Sequence, residues 1–165
     1  MTKCPETYSP FSVSGFGKRA DAFHITQPKP EGEDLERAIQ QALAEAELQP
    51  EDIAFINAHG TGTEANDAVE SHVFARVFGE SIPFMSTKAL TGHTLGAAGA
   101  IEAIFTLLML ERQLAVKSTR FETKPDDFPV APLRENRPLH DAHDALSTSL
   151  AFGGSNTALV LHYQP

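Results

Sequence analysis

Two short apolar runs, each followed by a glycine-containing loop and a helical pattern, constrain the fold most. The run IAFI at 53–56 leads through NAHGTGT into helical spacing over Glu64–Phe78, which Gly79 ends. The run IPFMS at 82–86 leads through TKALTGHTLG into an apolar helix from about Ala97 to Gln113. Continuous apolar runs are typical of strands buried on both faces, and successive strand-loop-helix units build parallel sheets. The sequence therefore predicts an α/β protein.

The remaining segments predict a mixed sheet. FSVSGF at 11–16 alternates apolar and polar residues as a strand does, and apolar residues at helical spacing predict a helix from about Asp34 to Leu48. ALSTSLAF and TALVLHY, separated by GGSN, predict a closing hairpin. The stretch Lys117–Asp144 has no clear period and predicts an ordered but irregular segment. The expected order β-α-β-α-β-α-β-β describes a mixed, mainly parallel sheet with helices on its faces.

Composition excludes several classes of function. The formal net charge of -9 opposes binding to nucleic acid, which needs clustered Lys and Arg. Cys4 is the only cysteine, so the chain has no internal disulfide or cysteine-rich zinc site, and we predict a cytoplasmic protein. MTKCPETYSP does not resemble a secretion signal. The apolar stretch Leu95–Leu110 is shorter than the roughly 20 residues of a membrane span and contains Glu102, so we predict a buried helix.

Histidines occur in two loops that follow successive strands. Ligands of an open α/β sheet bind beyond the carboxyl ends of its strands, where His59 and His93 are expected. A lone histidine is usually a structural residue, but two at equivalent positions favour a shared crevice. Gly and Thr residues around His59, including Thr61 and Thr63, allow a tight turn and hydroxyl hydrogen bonds. His93 precedes a helix start at Leu95, whose positive end favours the neutral imidazole.

Two acidic residues near these loops have predicted partners. Glu102 lies among apolar residues of a helix, where an unpaired carboxylate is costly, and Lys88 on the preceding loop is its best candidate partner. The alternative is that Glu102 faces solvent. Asp67 is close enough in sequence to brace the His59 loop, although a solvated carboxylate in the first turn of a helix is an equal alternative.

Three weaker patterns have simple alternatives. The glycines of Phe152-Gly153-Gly154-Ser155-Asn156 allow close backbone approach to a ligand, but a plain hairpin turn uses the same residues. A metal site at His140, Asp141, His143 and Asp144 is disfavoured because the segment is predicted to be a loop, and a solvated turn is preferred. GFGK lacks the Ser or Thr of a phosphate loop, so ATP is not implied.

Three motifs in this order resemble those of the β-ketoacyl-[acyl carrier protein] synthases, within the thiolase-like superfamily. They are NAHGTGTEAND, STKALTGHTLGAAGAIEA and AFGGSN, and GFGKRADAFHITQPKPEG is similar to the segment upstream. The likeness runs from about Gly15 to Tyr163. It implies the C-terminal half of the thiolase-like fold, a three-layer α/β/α unit with a five-stranded sheet. The corresponding domain is 11–165, after an N-terminal extension at 1–10.

The resemblance also implies a reaction, the decarboxylative Claisen condensation of malonyl-carrier protein with an acyl-enzyme in fatty-acid or polyketide synthesis. His59 and His93 would hydrogen-bond the malonyl thioester oxygen, and Lys88 would be the active-site lysine paired with Glu102. Asp67 matches an acidic residue behind the histidines. Neither a metal nor another cofactor is implied.

The glycine-rich motif carries the family's gating phenylalanine, which Phe152 matches. Its backbone N–H would form part of an oxyanion hole for the acyl-cysteine, with Gly153, Gly154 and Asn156 in the same motif. The sequence departs from the family here, since Leu150, Ala151 and Ser155 replace Phe, Gly and Thr.

The family's nucleophilic cysteine belongs to the N-terminal half, and Cys4 lacks its context. The resemblance therefore implies an acyltransferase that needs an N-terminal ketosynthase half, as a homo- or hetero-oligomer, with malonyl- and acyl-carrier protein as partners. The isolated chain is predicted to be inactive and to expose an apolar face. The alternative is a non-catalytic partner of a full synthase, similar to a chain-length factor.

Overall fold

The computed structural model describes residues 9–165, so most of the predicted extension 1–10, including Cys4, lies outside the described residues. The described strands are β1 (Phe11–Ala20), β2 (Ile53–Asn57), β3 (Phe84–Met85), β4 (Leu114–Ala115), β5 (Arg137–Pro138), β6 (Asp144–Ala151) and β7 (Ser155–Tyr163). The described helices are α1 (Glu33–Glu45), α2 (Glu64–Phe78), α3 (Lys88–Thr91) and α4 (Ala98–Glu111). This order confirms the predicted alternation of strands and helices.

A mixed sheet with the strand order β1-β7-β6-β2-β3 forms the centre of the fold. The five strands were predicted, but parallel pairing does not dominate. β2 pairs in parallel with β3 and β6, whereas β7 pairs antiparallel with β6 and with β1. The predicted hairpin accounts for one antiparallel pair, and the insertion of β1 beside β7 adds the second. Local sequence patterns do not show where β1 inserts.

Helices cover both faces of the sheet. Neighbouring strand residues alternate between two hydrophobic clusters, with Ile56 in one and Phe55 in the other, and the same holds for Leu146 and Ala145. Helices α1 and α2 contribute to the first cluster, and α4 contributes Leu110 to the second. The three-layer arrangement is therefore confirmed.

The helix boundaries agree closely with the sequence pattern. Helix α2 has the predicted bounds, and Gly79 follows it at a positive φ of 80°. Helix α1 ends at Glu45 rather than near Leu48. The predicted loop before α4 contains the short helix α3 and a 3-10 turn at Leu95–Ala97, so Lys88 lies on a helix and not on a loop.

Strand β1 packs unusually close to α1 because of two glycines. A Cβ at Gly15 or Gly17 would overlap a carbonyl oxygen of α1. Close packing also brings α1 side chains to the outer edge of β1. The backbone N–H of Phe16 donates to Glu45 Oε2 at 3.1 Å, and that of Lys18 donates to Gln41 Oε1 at 3.4 Å.

The segment after α4 is largely irregular, as predicted, apart from the small ribbon formed by β4 and β5. It returns to the sheet at Leu133, whose N–H donates to the Phe84 oxygen of edge strand β3 at 2.8 Å. Helix α4 was predicted to be buried, but Ile104 and Leu108 on it are exposed. Within 9–165, no helix is long and apolar enough to cross a membrane.

Candidate active site

The two predicted histidines meet at the ends of adjacent parallel strands. His59 follows β2 and His93 follows α3 after β3, so their loops leave the same edge of the sheet. The ring centroids are 5.3 Å apart, with the planes at 80°. The topology thus brings together two imidazoles that are far apart in sequence.

The first ring, His59, is buried and electrically neutral. Burial, with smaller contributions from the positive charge of Lys88 and from the His93 ring, lowers its pKa to about 3. Its Nδ1 is buried and has no hydrogen-bond partner among the described residues. A neutral imidazole carries one N–H, so His59 can donate a hydrogen bond to a ligand without carrying charge.

A buried carboxylate that the sequence analysis missed holds the His59 loop. Glu70 Oε1 accepts from the backbone N–H of His59 at 2.8 Å, and Oε2 accepts from that of Gly60 at 2.7 Å. Asn66 Nδ2 and the Thr148 hydroxyl also donate to it, at 2.8 and 3.0 Å. Burial raises the pKa of Glu70, and these hydrogen bonds oppose that effect. A carboxylate inside a buried helix face was the signal that could have identified it.

Asp67, which was predicted to brace the His59 loop, contacts a part of that loop that lies farther from His59. Its Oδ1 accepts from the Gly62 N–H at 3.2 Å and from Asn66 Nδ2 at 3.1 Å. The hydroxyls of Thr61 and Thr63 hydrogen-bond to each other at 3.0 Å. In residues 9–165 neither threonine bonds to the His59 ring, so these hydroxyls do not orient it as expected.

Behind the histidines lies an ion pair. Lys88 Nζ hydrogen-bonds Glu102 Oε1, and both side chains are buried, with exposed fractions of 5% and 4%. The contact predicted from the burial of Glu102 is present. Burial raises the pKa of Glu102, and the Lys88 ammonium opposes that effect. Asn57, another residue that sequence reasoning missed, donates to the Glu102 backbone oxygen at 3.1 Å.

The second ring, His93, is exposed and held by one local hydrogen bond. Its Nδ1 accepts from the Leu95 N–H at 3.1 Å. Because Nδ1 is an acceptor, the ring proton of the neutral form lies on Nε2, which can donate outward. The expected helix start at Leu95 is a 3-10 turn, and the backbone bond from Leu95 fixes the tautomer of the neutral ring.

The third predicted loop is the turn between β6 and β7. Phe152 is 77% exposed, and no ring contact joins it to His59 or His93 in the described residues. The loop after β1 ties the turn down instead: the Gly153 N–H donates to the Ile25 oxygen at 2.8 Å, and the Asp21 N–H donates to the Gly154 oxygen at 2.9 Å. Side chains add to these bonds, since Asn156 Nδ2 donates to Asp21 Oδ2 at 3.3 Å.

The disfavoured metal residues make local contacts, including one of 3.4 Å between His143 Nε2 and Asp141 Oδ1. His143 Nδ1 contacts the Tyr163 oxygen at 2.9 Å, while Asp144 Oδ1 contacts His162 Nδ1 at 2.9 Å. His140 and Asp141 are exposed. Between residues 9 and 165, no group of three or more His, Cys, Asp or Glu side chains is arranged to hold a metal ion.

Comparison with known families shows the family of the chain. The family described as "Beta-ketoacyl synthase, C-terminal domain" matches residues 11–122. The chain belongs to this family. Its curated relatives include 3-oxoacyl-[acyl-carrier-protein] synthase 2 from Staphylococcus aureus (strain COL), 42% identical over 154 residues. The corresponding synthase of Rhizobium meliloti (strain 1021) is 44% identical over 158 residues. Each alignment covers 90% of this chain but 36% of the relative, so this β-ketoacyl synthase domain spans about a third of their length.

Solved structures confirm the thiolase-like fold of the ketosynthase domain. A chain of the ketosynthase ApeO in complex with its chain length factor ApeC, from Xenorhabdus doucetiae, has a TM-score of 0.87 and 40% identity. The match covers 96% of this domain and 40% of that chain. A β-ketoacyl synthase from Burkholderia phymatum STM815 gives a TM-score of 0.84 and 39% identity, over 94% of this domain and 38% of that chain.

Proposed function

We propose that residues 11–165 form the C-terminal catalytic half of a 3-oxoacyl-acyl carrier protein synthase, located in the cytoplasm. The observation that carries the proposal is the convergence of His59 and His93, 5.3 Å apart, beside a buried Lys88–Glu102 pair. Membership of the β-ketoacyl synthase family and similarity to 3-oxoacyl-[acyl-carrier-protein] synthases support it.

Both imidazoles would act on the thioester oxygen of malonyl-carrier protein. Decarboxylation breaks the bond to the carboxylate, releases carbon dioxide and moves the electron pair onto that oxygen as an enolate. A neutral His59 and the Nε2–H of His93 would each supply a hydrogen-bond donor to the developing charge, the kind of arrangement that stabilises oxyanions. The enolate carbon then attacks the acyl thioester, whose cysteine sulfur leaves as the thiolate.

That cysteine would come from another polypeptide segment, because residues 9–165 contain none. An N-terminal ketosynthase half is the proposed source, with Phe152 at the entrance to the joint site. Exposed apolar side chains support association: Leu95 is 76% exposed, and Leu90, at 68%, borders an apolar groove of about 340 Å³ together with Leu108. Acyl carrier protein is the proposed substrate carrier.

A second candidate function is that of a non-catalytic partner similar to a chain length factor. Similarity to structures described as complexes of a ketosynthase with its chain length factor favours it. The retained His59, Lys88 and His93 favour the catalytic role, because a docking surface does not need a converging pair of imidazoles.

Reconstitution tests the proposal. The purified chain is mixed with malonyl- and acyl-carrier protein, with and without the N-terminal half of a similar synthase, and carbon dioxide and ketoacyl product are measured. We expect product only with both halves, and a loss of roughly 100-fold or more for H59A and for H93A. H140A is the matched control, because His140 is exposed elsewhere on the surface. Absence of product from every pairing, with both halves folded, would favour the docking role.

A further inference from the structure

Ser86 lies where the His59 loop and the helix carrying Lys88 come together. It directly follows β3, and its hydroxyl donates to the Gly60 backbone oxygen at 3.2 Å. The same oxygen atom, Ser86 Oγ, accepts from the backbone N–H of Lys88 at 3.3 Å. One hydroxyl therefore connects the two loops that carry the proposed site.

The backbone of Gly60 is shaped to this contact. Its φ is +47°, and a Cβ there would collide with the Ser86 Cβ and lie 2.7 Å from Ser86 Oγ. A positive φ and the lack of room both favour glycine, so the close approach of the two loops is built into the backbone.

The backbone of Ser86 is also held by the irregular segment that follows α4. Its backbone N–H donates to Ser118 Oγ at 3.0 Å, and the Ser118 N–H donates to the Leu133 oxygen at 2.8 Å. Through Leu133, which bonds Phe84 of β3, the irregular segment after α4 holds Ser86 against the end of the sheet.

Beyond the sheet itself, this hydroxyl is the direct hydrogen-bonded link between the two loops. The last bond between β2 and β3 runs from the Ala58 N–H to the Met85 oxygen at 2.8 Å. Past that point, no other hydrogen bond in the described chain joins the turn at 59–63 to the segment 86–95. Glu70 and Thr148 fix the His59 turn to other elements, so Ser86 supplies its direct hydrogen bond to the segment that carries Lys88 and His93.

We propose that Ser86 is a positioning residue that sets the His59 loop relative to Lys88 and His93. Its catalytic consequence rests on the proposed condensing function, whereas its effect on loop geometry does not. Because displacement of reacting groups by about 1 Å can cost on the order of 100-fold in rate, a single hydroxyl at this point can act on turnover without touching substrate.

The test uses S86A in the full chain, with nuclear magnetic resonance titration of the His59 ring as the first readout. Loosening the loop admits water to His59 and removes the main cause of its low pKa. We expect the pKa of His59 to rise by about one unit or more from its value near 3. Amide signals of Gly60 and Lys88 should shift together.

Variants at Ser86 and at its neighbour Thr87 distinguish a loss of loop positioning from a general loss of structure. S86T keeps the hydroxyl, and its extra methyl can enter the cavity of about 480 Å³ that Ser86 lines, so it should restore the His59 titration. T87V is the matched control, because the Thr87 hydroxyl is buried and has no hydrogen-bond partner among the described residues. If S86A does not fold, S86C, which weakens the bond but keeps the shape, should give a smaller shift in the same direction.

The second readout is malonyl decarboxylation with the N-terminal half present. We expect S86A to lower kcat about tenfold with little change in KM, and S86T to recover most of it. If S86A shifts His59 but no pairing shows activity, the proposed function fails and the positioning role stands. If S86A leaves the His59 titration and kcat as in the wild type, the positioning role is overturned.

Discussion

The two histidines differ sharply in how the chain holds them. His59 is buried, and its loop is fixed by the Glu70 carboxylate and the Thr148 and Ser86 hydroxyls. His93 is exposed, and within residues 9–165 its ring is held by one hydrogen bond, from the Leu95 N–H. This chain therefore organises one side of the candidate site by itself and leaves the other exposed, where the proposed N-terminal half would supply the missing wall.

The largest loss of stability is expected from removing the Lys88 ammonium, which lies behind the His59 and His93 loops. K88M leaves the Glu102 carboxylate buried and unpaired, which should cost about 4 kcal/mol of unfolding free energy, measured by urea denaturation. K88M/E102L should recover most of the loss because neither charge of the pair is then buried. K117M, at an exposed lysine, is the control and should change stability by less than about 0.5 kcal/mol. A mild K88M effect would mean that water reaches the pair.

The next largest loss of stability is expected from removing the Glu70 carboxylate, which holds the buried His59 loop. E70A leaves four donors without their acceptor and should cost about 3 kcal/mol in the same denaturation experiment. D67A is the control on the same helix, since Asp67 holds only the outer part of the loop, and should cost about 1 kcal/mol or less. If E70A and D67A lowered the unfolding free energy equally, Glu70 and Asp67 would not differ in how firmly they hold the loop.

The low pKa of His59 predicts how the stability of the chain depends on pH. Its pKa is about 3 in the folded chain and near 6.5 when unfolded, so the unfolded chain binds an extra proton between these values. Stability contributed by the neutral ring is therefore complete above pH 6.5 and declines as the pH falls toward 3. We expect about 2 kcal/mol of this loss between pH 6.5 and 4.5, and a shallower slope for H59N. Identical slopes would contradict the burial of the ring.

The smallest loss of stability is expected at the exposed turn between β6 and β7. D21A removes the acceptor that holds Asn156 and the backbone N–H groups of Phe23 and Lys29, and should cost about 1 kcal/mol. Faster amide hydrogen exchange should appear at Gly153, while the protection of Gly60 stays as in the wild type. Faster exchange at both sites would show that the two sides of the site are coupled.

Elements with a strong local pattern could be predicted from the sequence. The bounds of α2 follow from apolar spacing and Gly79, and the pairing of Lys88 with Glu102 follows from the cost of burying a charge among apolar residues. The shared edge that brings His59 to His93 follows from the parallel order of β2 and β3. Each of these inferences needs only neighbouring segments of the chain.

Contacts that depend on distant segments could not be predicted in this way. Asp21 and Asn156 are 135 positions apart, and only the antiparallel placement of β1 beside β7 makes them neighbours. Glu70 was overlooked because two of its four donors are backbone N–H groups, which leave no mark in the sequence, and a third, Thr148, is 78 positions away. The small helix α3 has too few residues to show a period.

The protected edges of the sheet limit how this domain can grow into a larger assembly. Glu45 and Gln41 accept from two N–H groups on the outer side of β1, at Phe16 and Lys18, and Leu133 bonds the Phe84 oxygen of β3 at the opposite edge. A foreign strand that paired with either edge would have to displace these bonds, which disfavours fibre-like stacking of copies. A partner that packed against the exposed apolar side chains would leave these bonds intact, so its recognition would depend on the shape of that surface and not on backbone pairing.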